Sequence, residues 1–462
     1  MPATPAICRS GPRPVARFFI AAAHKSSGKT VLSTGLAKAL SATQDVRCFK
    51  KGPDYIDPMW LSAASGQPCY NLDFNTMPKA ELQALFSSRA KGDIALIEAN
   101  KGLYDGMDVQ GSDSNAALTK LLQAPVILVI DTVGMTRGIA PLLVGYQGFD
   151  PEVNIAGVIL NKLGGPRHEG KLRAAVEAYT DIPVLGAVGR HQALEIGERH
   201  LGLTTPAESG EFARKIGQIG EVISDSVDLA AIRAIAASAP PLPAAPLTPL
   251  HGGEKIRIGI ARDTAFGFYY ADDLEALEAA GAELVFFNTI TDSHLPRVDG
   301  LLIGGGFPET QMEKLEANAT LRGEIRAAIA AGLPVYAECG GLMYLCKTLT
   351  WRGETRRMVG AVMGDAVMHA RPQGRGYTKL QALEGGLWAP GREVLAHEFH
   401  YARVDNLPRD TRFAYKVLRG HGIDGRHDGV LSQNMLAGFC HLRHGGASPW
   451  AQRFIEHIRA KT

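Results

Sequence analysis

Three things are scarce in this chain, and each closes off a class of protein. No charge predominates: 49 lysines and arginines face 47 aspartates and glutamates, leaving a formal net charge of +2. An extended nucleic-acid footprint needs a basic stripe, so small-molecule partners and no nucleic acid are expected. Cysteine offers no framework either. The six (Cys8, Cys48, Cys69, Cys339, Cys346, Cys440) are scattered, with no CxxC pair and no metal-ligand spacing, which fits reduced thiols rather than a disulfide scaffold. Long hydrophobic runs are also missing. No segment reaches membrane-spanning length, and Met1–Arg17 carries Pro and Arg but no signal-peptide core. A cytoplasmic enzyme without membrane attachment is the expectation.

What is present is ordinary in bulk and distinctive in pattern. Hydrophobic content of 45% and charged content of 21% fit a globular protein. A length of 462 residues suffices for two sizeable cores. Proline crowds into the stretch Ala239–Pro249, a density that excludes helix interiors and favours an extended spacer. The expected division is a tail at 1–14, a first domain at 15–238, a linker at 239–253 and a second domain at 254–462. In the first domain, apolar runs at Phe18–Ala22, Val46–Phe49, Ile94–Ile97, Val126–Ile130, Ile155–Leu160 and Val184–Ala187 alternate with helical patterns, which predicts a parallel sheet. The second domain restarts with Ile256–Ala261, Leu284–Phe287, Leu301–Ile303 and Pro334–Tyr336. It turns strand-like after Met358 and closes on a helix near Pro449–Lys461. The fold class is α/β, in two domains.

The first of these strands runs into Ala23-His24-Lys25-Ser26-Ser27-Gly28-Lys29-Thr30. A Gly-Lys-Thr opening a helix after a strand has a mechanism. Backbone N–H groups of Ser26, Ser27 and Gly28 hold phosphates, Lys29 reaches the β/γ oxygens and the Thr30 hydroxyl ligates Mg²⁺. The strict pattern wants Gly where Ala23 stands, but the loop stays small. Glu98 and Asp131 end neighbouring strands, where ligands collect in open α/β sheets, so both are expected to face metal and phosphates; capping of the following loops is the alternative. Asn161-Lys162-Leu163-Gly164 begins like a guanine-reading motif but lacks its Asp, which favours ATP over GTP. Lys50 to Pro58 and Lys101 to Gly106 are rich in functional side chains. An acyl-phosphate synthetase needs cations to draw in a carboxylate and acids to hold Mg²⁺.

A second motif suits a thioester. Ala337-Glu338-Cys339-Gly340-Gly341 follows an apolar run, and a thiolate attacking a carboxamide needs a sharp turn, a base and oxyanion donors. Cys339 is the expected nucleophile. Gly305, Gly306 and Gly340 are the expected oxyanion donors. His441 is the expected base, with His397 and His400 as rivals whose spacing does not fit an HExxH zinc site. A phosphate loop beside a cysteine elbow predicts a protein that releases ammonia from an amide and uses ATP to attach it to a carboxylate.

Taken together, KKGPDYIDP, GLYDG, VILNKLGG, GGGFPE, AECGG and HEFHYAR closely resemble the cobyrinic acid a,c-diamide synthase family over nearly the whole chain from about Arg17. The resemblance implies a domain similar to dethiobiotin synthetase followed by a class I, triad-type glutamine amidotransferase domain. It implies ATP-driven amidation of two corrin acetate carboxylates through acyl phosphates, with Mg²⁺ as cofactor. ATP, glutamine and a carboxylated tetrapyrrole are the implied partners, and a homodimer the implied assembly. Cys339 matches the nucleophile and His441 the base. Asp54, Tyr55, Glu98 and Asp105 match the synthetase-site positions, with Thr30, Glu98 and Asp54 toward the metal, and Lys101 joining Asp54, Tyr55 and Asp105 toward substrate. Asn161 joins the phosphate loop on ATP. The acidic third member usual in such triads is not evident after His441.

Departures from the family pattern leave alternatives. Lys101 and Arg137 add positive charge near the expected tetrapyrrole site, which leaves a sirohaem-type substrate open beside a corrin. Cobyric acid synthase shares the two-domain plan, but HEFHYAR matches the a,c-diamide branch better. Two other classes remain: a regulatory P-loop ATPase with an inactive amidotransferase domain, and a tetrapyrrole-binding scaffold without turnover.

Overall fold

The computed structural model describes residues 15–196, 198–199, 202–203, 212–243 and 252–461. The expected tail at 1–14 and residues 244–251 of the expected linker lie outside them. The chain divides into two compact units: Met1–Leu72 with Leu82–Leu247, and Asp73–Glu81 with Thr248–Thr462.

The first unit is built on seven parallel strands: β1 (Ala16–Ala22), β2 (Val46–Lys51), β3 (Cys69–Leu72), β4 (Ile94–Glu98), β5 (Val126–Asp131), β6 (Ile155–Leu163) and β7 (Val184–Gly189), in the order β3-β2-β4-β1-β5-β6-β7. Helices connect them, as parallel pairing requires a crossover. The strands are apolar along nearly their whole length because both faces are covered; β1 reads Ala-Arg-Phe-Phe-Ile-Ala-Ala, with Phe18, Phe19 and Ile20 fully buried. Of the seven, β3 had no sequence signal of its own. Two short strands, β8 (Glu198–Arg199) and β9 (Gly202–Leu203), pair antiparallel.

The second unit carries strands β10 (Ile256–Ala261), β11 (Phe266–Phe268), β12 (Ala282–Phe287), β13 (Gly300–Ile303), β14 (Gly305–Gly306), β15 (Val335–Glu338), β16 (Cys346–Trp351), β17 (Glu354–Arg357), β18 (Val362–Met368), β19 (Gly374–Ala382), β20 (Glu393–His400), β21 (Ala402–Asp405), β22 (Arg412–Arg419), β23 (His427–Ser432) and β24 (Met435–Gly438). Its main sheet runs β12-β10-β13-β15-β24-β23-β22-β19-β20. The first five strands are parallel and the rest antiparallel. One apolar core lies on each face: Leu301, Val335 and Ala337 point into one, Leu302, Tyr336 and Leu436 into the other. The segment Asp73–Glu81 belongs here through Tyr377 donating to Asp73 (2.7 Å), Asn75 donating to the Ala396 carbonyl (3.2 Å) and the Gly446 N–H donating to Glu81 (2.9 Å). Among the described residues no helix is long and apolar enough to cross a membrane.

Candidate active sites

In the first unit, β2, β4 and β1 are neighbours, so the loops leaving their carboxyl ends meet. The loop after β1 turns through Ser26 and Gly28, both at positive φ (63° and 87°), into the helix Lys29–Ser41. Gly28 is required: its φ suits glycine, and a Cβ there would stand 2.4 Å from Asn161 Nδ2. Asn161 in turn donates to the Ser27 carbonyl (2.9 Å) and Lys162 to that of Ser26 (2.9 Å). Lys29 is buried and donates to the Lys101 carbonyl at 2.7 Å. Burial, then the nearby Lys50 ammonium, lowers Lys29 to about 8.

The carboxyl end of β2 adds Lys50, which is 2% exposed. Its ammonium lies 2.7 Å from Glu98 Oε1, 2.5 Å from Asp57 and 3.9 Å from Asp54. Burial alone would strip its proton; Asp57, Glu98 and Asp54 reverse this and hold it charged. Lys50 is therefore committed to three carboxylates, not free to draw in a substrate carboxylate as the sequence suggested. Partial burial and the Asp57 charge push Asp54 up to about 7, whereas Lys50 draws Asp57 down against burial. Asp54 Oδ1 also accepts the Ile56 and Asp57 N–H groups, starting the helix Ile56–Ser65 beside Tyr55. Lys101 and Asp105 are exposed on the loop after β4, where Asp105 accepts the Gly102 N–H (2.9 Å).

Asp131 goes elsewhere. It accepts from Lys162 (2.7 Å) and from the Val133 N–H (3.0 Å), because β5 lies on the far side of β1 from β4 and Lys162 on β6 reaches it first. The capping alternative describes it.

Glu98 is fully buried, accepts the Thr30 hydroxyl on Oε1 (2.9 Å), and has no hydrogen-bond partner for Oε2 among the described residues. An orphaned buried carboxylate oxygen is costly and invites a ligand. With the Thr30 hydroxyl and Asp54 it offers the hard oxygen donors that Mg²⁺ takes. No cluster of three or more His, Cys, Asp or Glu suited to a metal occurs among the described residues.

In the second unit the same topology repeats with different chemistry: β13, β15 and β24 are neighbours and their carboxyl ends converge. Cys339 follows β15 directly at φ 49°, ψ −101°, a strained conformation for a non-glycine residue that turns the thiol out between the strand and the helix Gly340–Leu345. Glycines permit the crowding. A Cβ on Gly341 would stand 2.1 Å from the Ile303 carbonyl oxygen, one on Gly340 3.0 Å from Gly306 N, and one on Gly305 2.8 Å from His441 Cε1. The three expected oxyanion glycines thus sit together beside Cys339 and His441.

His441, just past β24, is buried and hydrogen-bonded to both Cys339 and Glu338. Burial disfavours its charged form, but those two partners override it and raise His441 to about 10. Of the two rivals, His397 pairs with His441 through mutual backbone hydrogen bonds and stacks on its ring at 4.9 Å. Burial, then the charges of His441 and Arg443, keep His397 well below the ordinary imidazole range. His400 stacks on Phe439 and donates from Nδ1 to the Ala402 carbonyl (2.8 Å). Sequence reasoning missed Glu338, whose Oε2 lies 3.0 Å from His441 Nδ1. The available signal was a buried acid, one strand period from Tyr336, at the end of an otherwise apolar strand.

Both units match described domain families. Residues 18–203 match the CobQ/CobB/MinD/ParA nucleotide binding domain, and residues 257–448 match the CobB/CobQ-like glutamine amidotransferase domain. A cobyrinate a,c-diamide synthase of Magnetococcus marinus is 46% identical over 95% of this chain and 96% of its own length. One from Archaeoglobus fulgidus is 40% identical over 97% and 99%, and one from Methanosarcina acetivorans 39% identical over 94% and 93%. The chain belongs to the cobyrinate a,c-diamide synthase family. Like other members of that family it is a nucleotide-binding carbon–nitrogen ligase of the glutamine amidotransferase type, with a P-loop unit followed by an amidotransferase unit.

Proposed function

We propose that the chain uses ATP to amidate the a- and c-acetate carboxylates of cobyrinic or hydrogenobyrinic acid, with glutamine as nitrogen source. The observation carrying this reading is near-full-length likeness to relatives named cobyrinate a,c-diamide synthase, in a chain whose two sites both keep their reactive groups.

At the thioester site the Cys339 sulfur attacks the carboxamide carbon of glutamine. Gly305, Gly306 and Gly340 offer N–H groups to the oxygen as charge develops on it. The proton on His441 passes to the departing nitrogen, ammonia leaves, and water then cleaves the thioester to glutamate and free thiol. At the nucleotide site Ser26, Ser27 and Gly28 hold the phosphates, Lys29 reaches the β/γ oxygens, and Asn161 supports the loop from behind. Thr30, Glu98 and Asp54 would hold Mg²⁺, whose positive charge offsets that of the phosphates. A substrate carboxylate oxygen, placed by Asp54, Tyr55, Asp105 and Lys101, attacks the γ-phosphorus and ADP leaves. Ammonia then displaces inorganic phosphate from the acyl phosphate, giving the amide. Activation is chemically necessary because a carboxylate anion resists attack by ammonia.

A sirohaem-type substrate rested on extra positive charge at Lys101 and Arg137. Arg137 stacks on Tyr179 at 5.1 Å and hydrogen-bonds its hydroxyl, which weakens that alternative. The test is mass spectrometry of products formed with ATP, Mg²⁺ and glutamine from hydrogenobyrinic acid, cobyrinic acid or sirohaem. Two carboxylate-to-amide conversions on a corrin are expected, with oxygen-18 from the carboxylate appearing in inorganic phosphate. Amidation of sirohaem alone would move the protein to another pathway.

A further inference from the structure

The thioester site contains a contact that the family pattern does not assign. The position where an acid would usually follow the base is filled by Arg443, which is buried, pairs with Asp272 at 2.6 Å and lies over the Tyr270 ring. An acid nevertheless reaches the imidazole, from the residue immediately before the nucleophile.

We propose that Glu338 is the positioning residue of the thioester site, holding His441 at Nδ1 so that the opposite ring nitrogen faces Cys339. This rests on the thioester reading above. Three donors converge on the Glu338 carboxylate: the Tyr336 hydroxyl (2.7 Å) and the Leu442 N–H (2.9 Å) on Oε1, and His441 Nδ1 (3.0 Å) on Oε2. Two donors already engage Oε1, and Glu338 is among the partners that favour the protonated His441 ring, so Nδ1 carries a proton toward Oε2. Nε2 is then the nitrogen available to take the thiol proton. The anion also stabilises the imidazolium formed by that transfer, as a buried acid does behind the histidine of a nucleophile–base pair. Because β15 alternates faces, Tyr336 and Glu338 lie on one side of the strand and brace each other.

Glu338→Gln is a sharp test because it keeps size and inverts hydrogen bonding. The amide oxygen must satisfy the Leu442 N–H, which leaves the NH₂ group facing Nδ1. His441 is driven to the other tautomer and presents a proton, not a lone pair, to the thiol. The full chain carrying Glu338→Gln is expected to lose glutaminase kcat by about 10²–10⁴-fold, with KM for glutamine changed less than about threefold. Amidation with free ammonia should be unaffected.

The pH profile of Cys339 alkylation by a glutamine-analogue diazoketone should differ from that of the native protein, because Glu338 no longer favours the protonated His441 ring. Other titratable groups face this pair. His397 on β20 stays neutral, and burial raises Tyr336, Tyr269 and Tyr415. Asp273, raised by burial and Asp272, is present in both proteins, so the comparison isolates the Cys339–His441 pair.

A Glu338→Gln protein with native kcat and pH profile, alongside an inert Cys339→Ala, would overturn this inference and leave the thioester reading standing. Glutaminase activity surviving in Cys339→Ala would remove the thioester reading itself. If Glu338→Gln does not fold, Glu338→Asp decides: a kcat lowered about tenfold with a retained pH profile supports the assignment, and an unchanged kcat overturns it.

Discussion

The two sites are built on the same plan and left in opposite states. Each gathers the carboxyl ends of three adjacent parallel strands, β2-β4-β1 in one unit and β13-β15-β24 in the other. At the proposed thioester site the charges answer one another: Cys339, His441 and Glu338 form one chain, and Tyr336 and Leu442 complete it. At the nucleotide site they do not. Lys50 serves three carboxylates, Glu98 keeps an oxygen without a partner, and Lys29 is pressed toward deprotonation. A hydrolytic site must be ready before its neutral substrate arrives. A nucleotide site, on the proposed reading one of phosphoryl transfer, can leave part of its electrostatics to a ligand that brings its own charge.

The sharpest way to break that contrast is to remove one group from each. Cys339→Ala is expected to abolish glutamine-dependent amidation by about 10⁴-fold or more while sparing the ammonia-dependent reaction. Lys29→Ala should lower both by on the order of 10²–10³-fold. Rates measured with the two nitrogen donors would show the difference; a Cys339→Ala protein that still uses glutamine would end the proposed division of labour.

A second pair probes how close the thioester site stands to steric failure. Gly341→Ala places a methyl 2.1 Å from a backbone carbonyl that cannot move without disturbing β13. A displacement of about 1 Å costs roughly 10²-fold in rate, so glutaminase activity should drop by that order with ammonia use retained. Gly323→Ala, with nothing within 4 Å, is the control. It sits in the helix Ala319–Ala330 and should stabilise by up to about 1 kcal/mol. Equal activity in the two variants would mean the glycine elbow tolerates what the geometry forbids.

Much of this was legible in the sequence because it is written in local grammar. Apolar runs closed by Gly-Lys-Thr or by Cys-Gly-Gly mark strand, turn and helix together, and Cys339 and His441 both fall where a strand ends. What escaped was written across distance. Strand β3 reads Cys-Tyr-Asn-Leu, only four residues and directly after Pro68, too short for a periodicity. Residues 73–81 carry no compositional mark of the unit they join. Lys50 looked like a substrate-binding cation because the sequence does not show that Glu98, 48 residues on, lies against it. Glu338 was overlooked because the acid was sought downstream of His441, whereas parallel pairing of β15 with β24 brings it in from the side.

The unbalanced half of the comparison can be titrated by substitution. Lys50→Met leaves Glu98, Asp57 and Asp54 without their shared cation. Breaking a buried ion pair on one side costs about 3–5 kcal/mol, so the melting transition of the P-loop unit should fall by about 10 °C in chelator. Millimolar Mg²⁺ should recover more of that loss than it adds to the native protein, because the ion then meets three unpaired carboxylates. Equal Mg²⁺ stabilisation of both proteins would argue that the cluster is not where the ion binds.

The smallest effect is a proton. Without nucleotide, Lys29 sits near 8 because burial and Lys50 both disfavour its charge. Phosphate oxygens beside its ammonium would favour the charged form and raise it again. Between those two values, nucleotide binding must take up protons. Affinity for ATP should therefore be flat below pH 7 and weaken as the pH rises past about 8, by up to tenfold per pH unit, until the complex itself loses the proton. Calorimetry at pH 8.5 in buffers of different ionisation heat measures the uptake directly. About one proton or less per ATP is expected, and none in Lys29→Met. Uptake that persists in Lys29→Met would move the effect to Asp54, the other group near neutrality at this site, and would make the nucleotide's first contact a carboxylate rather than the loop lysine.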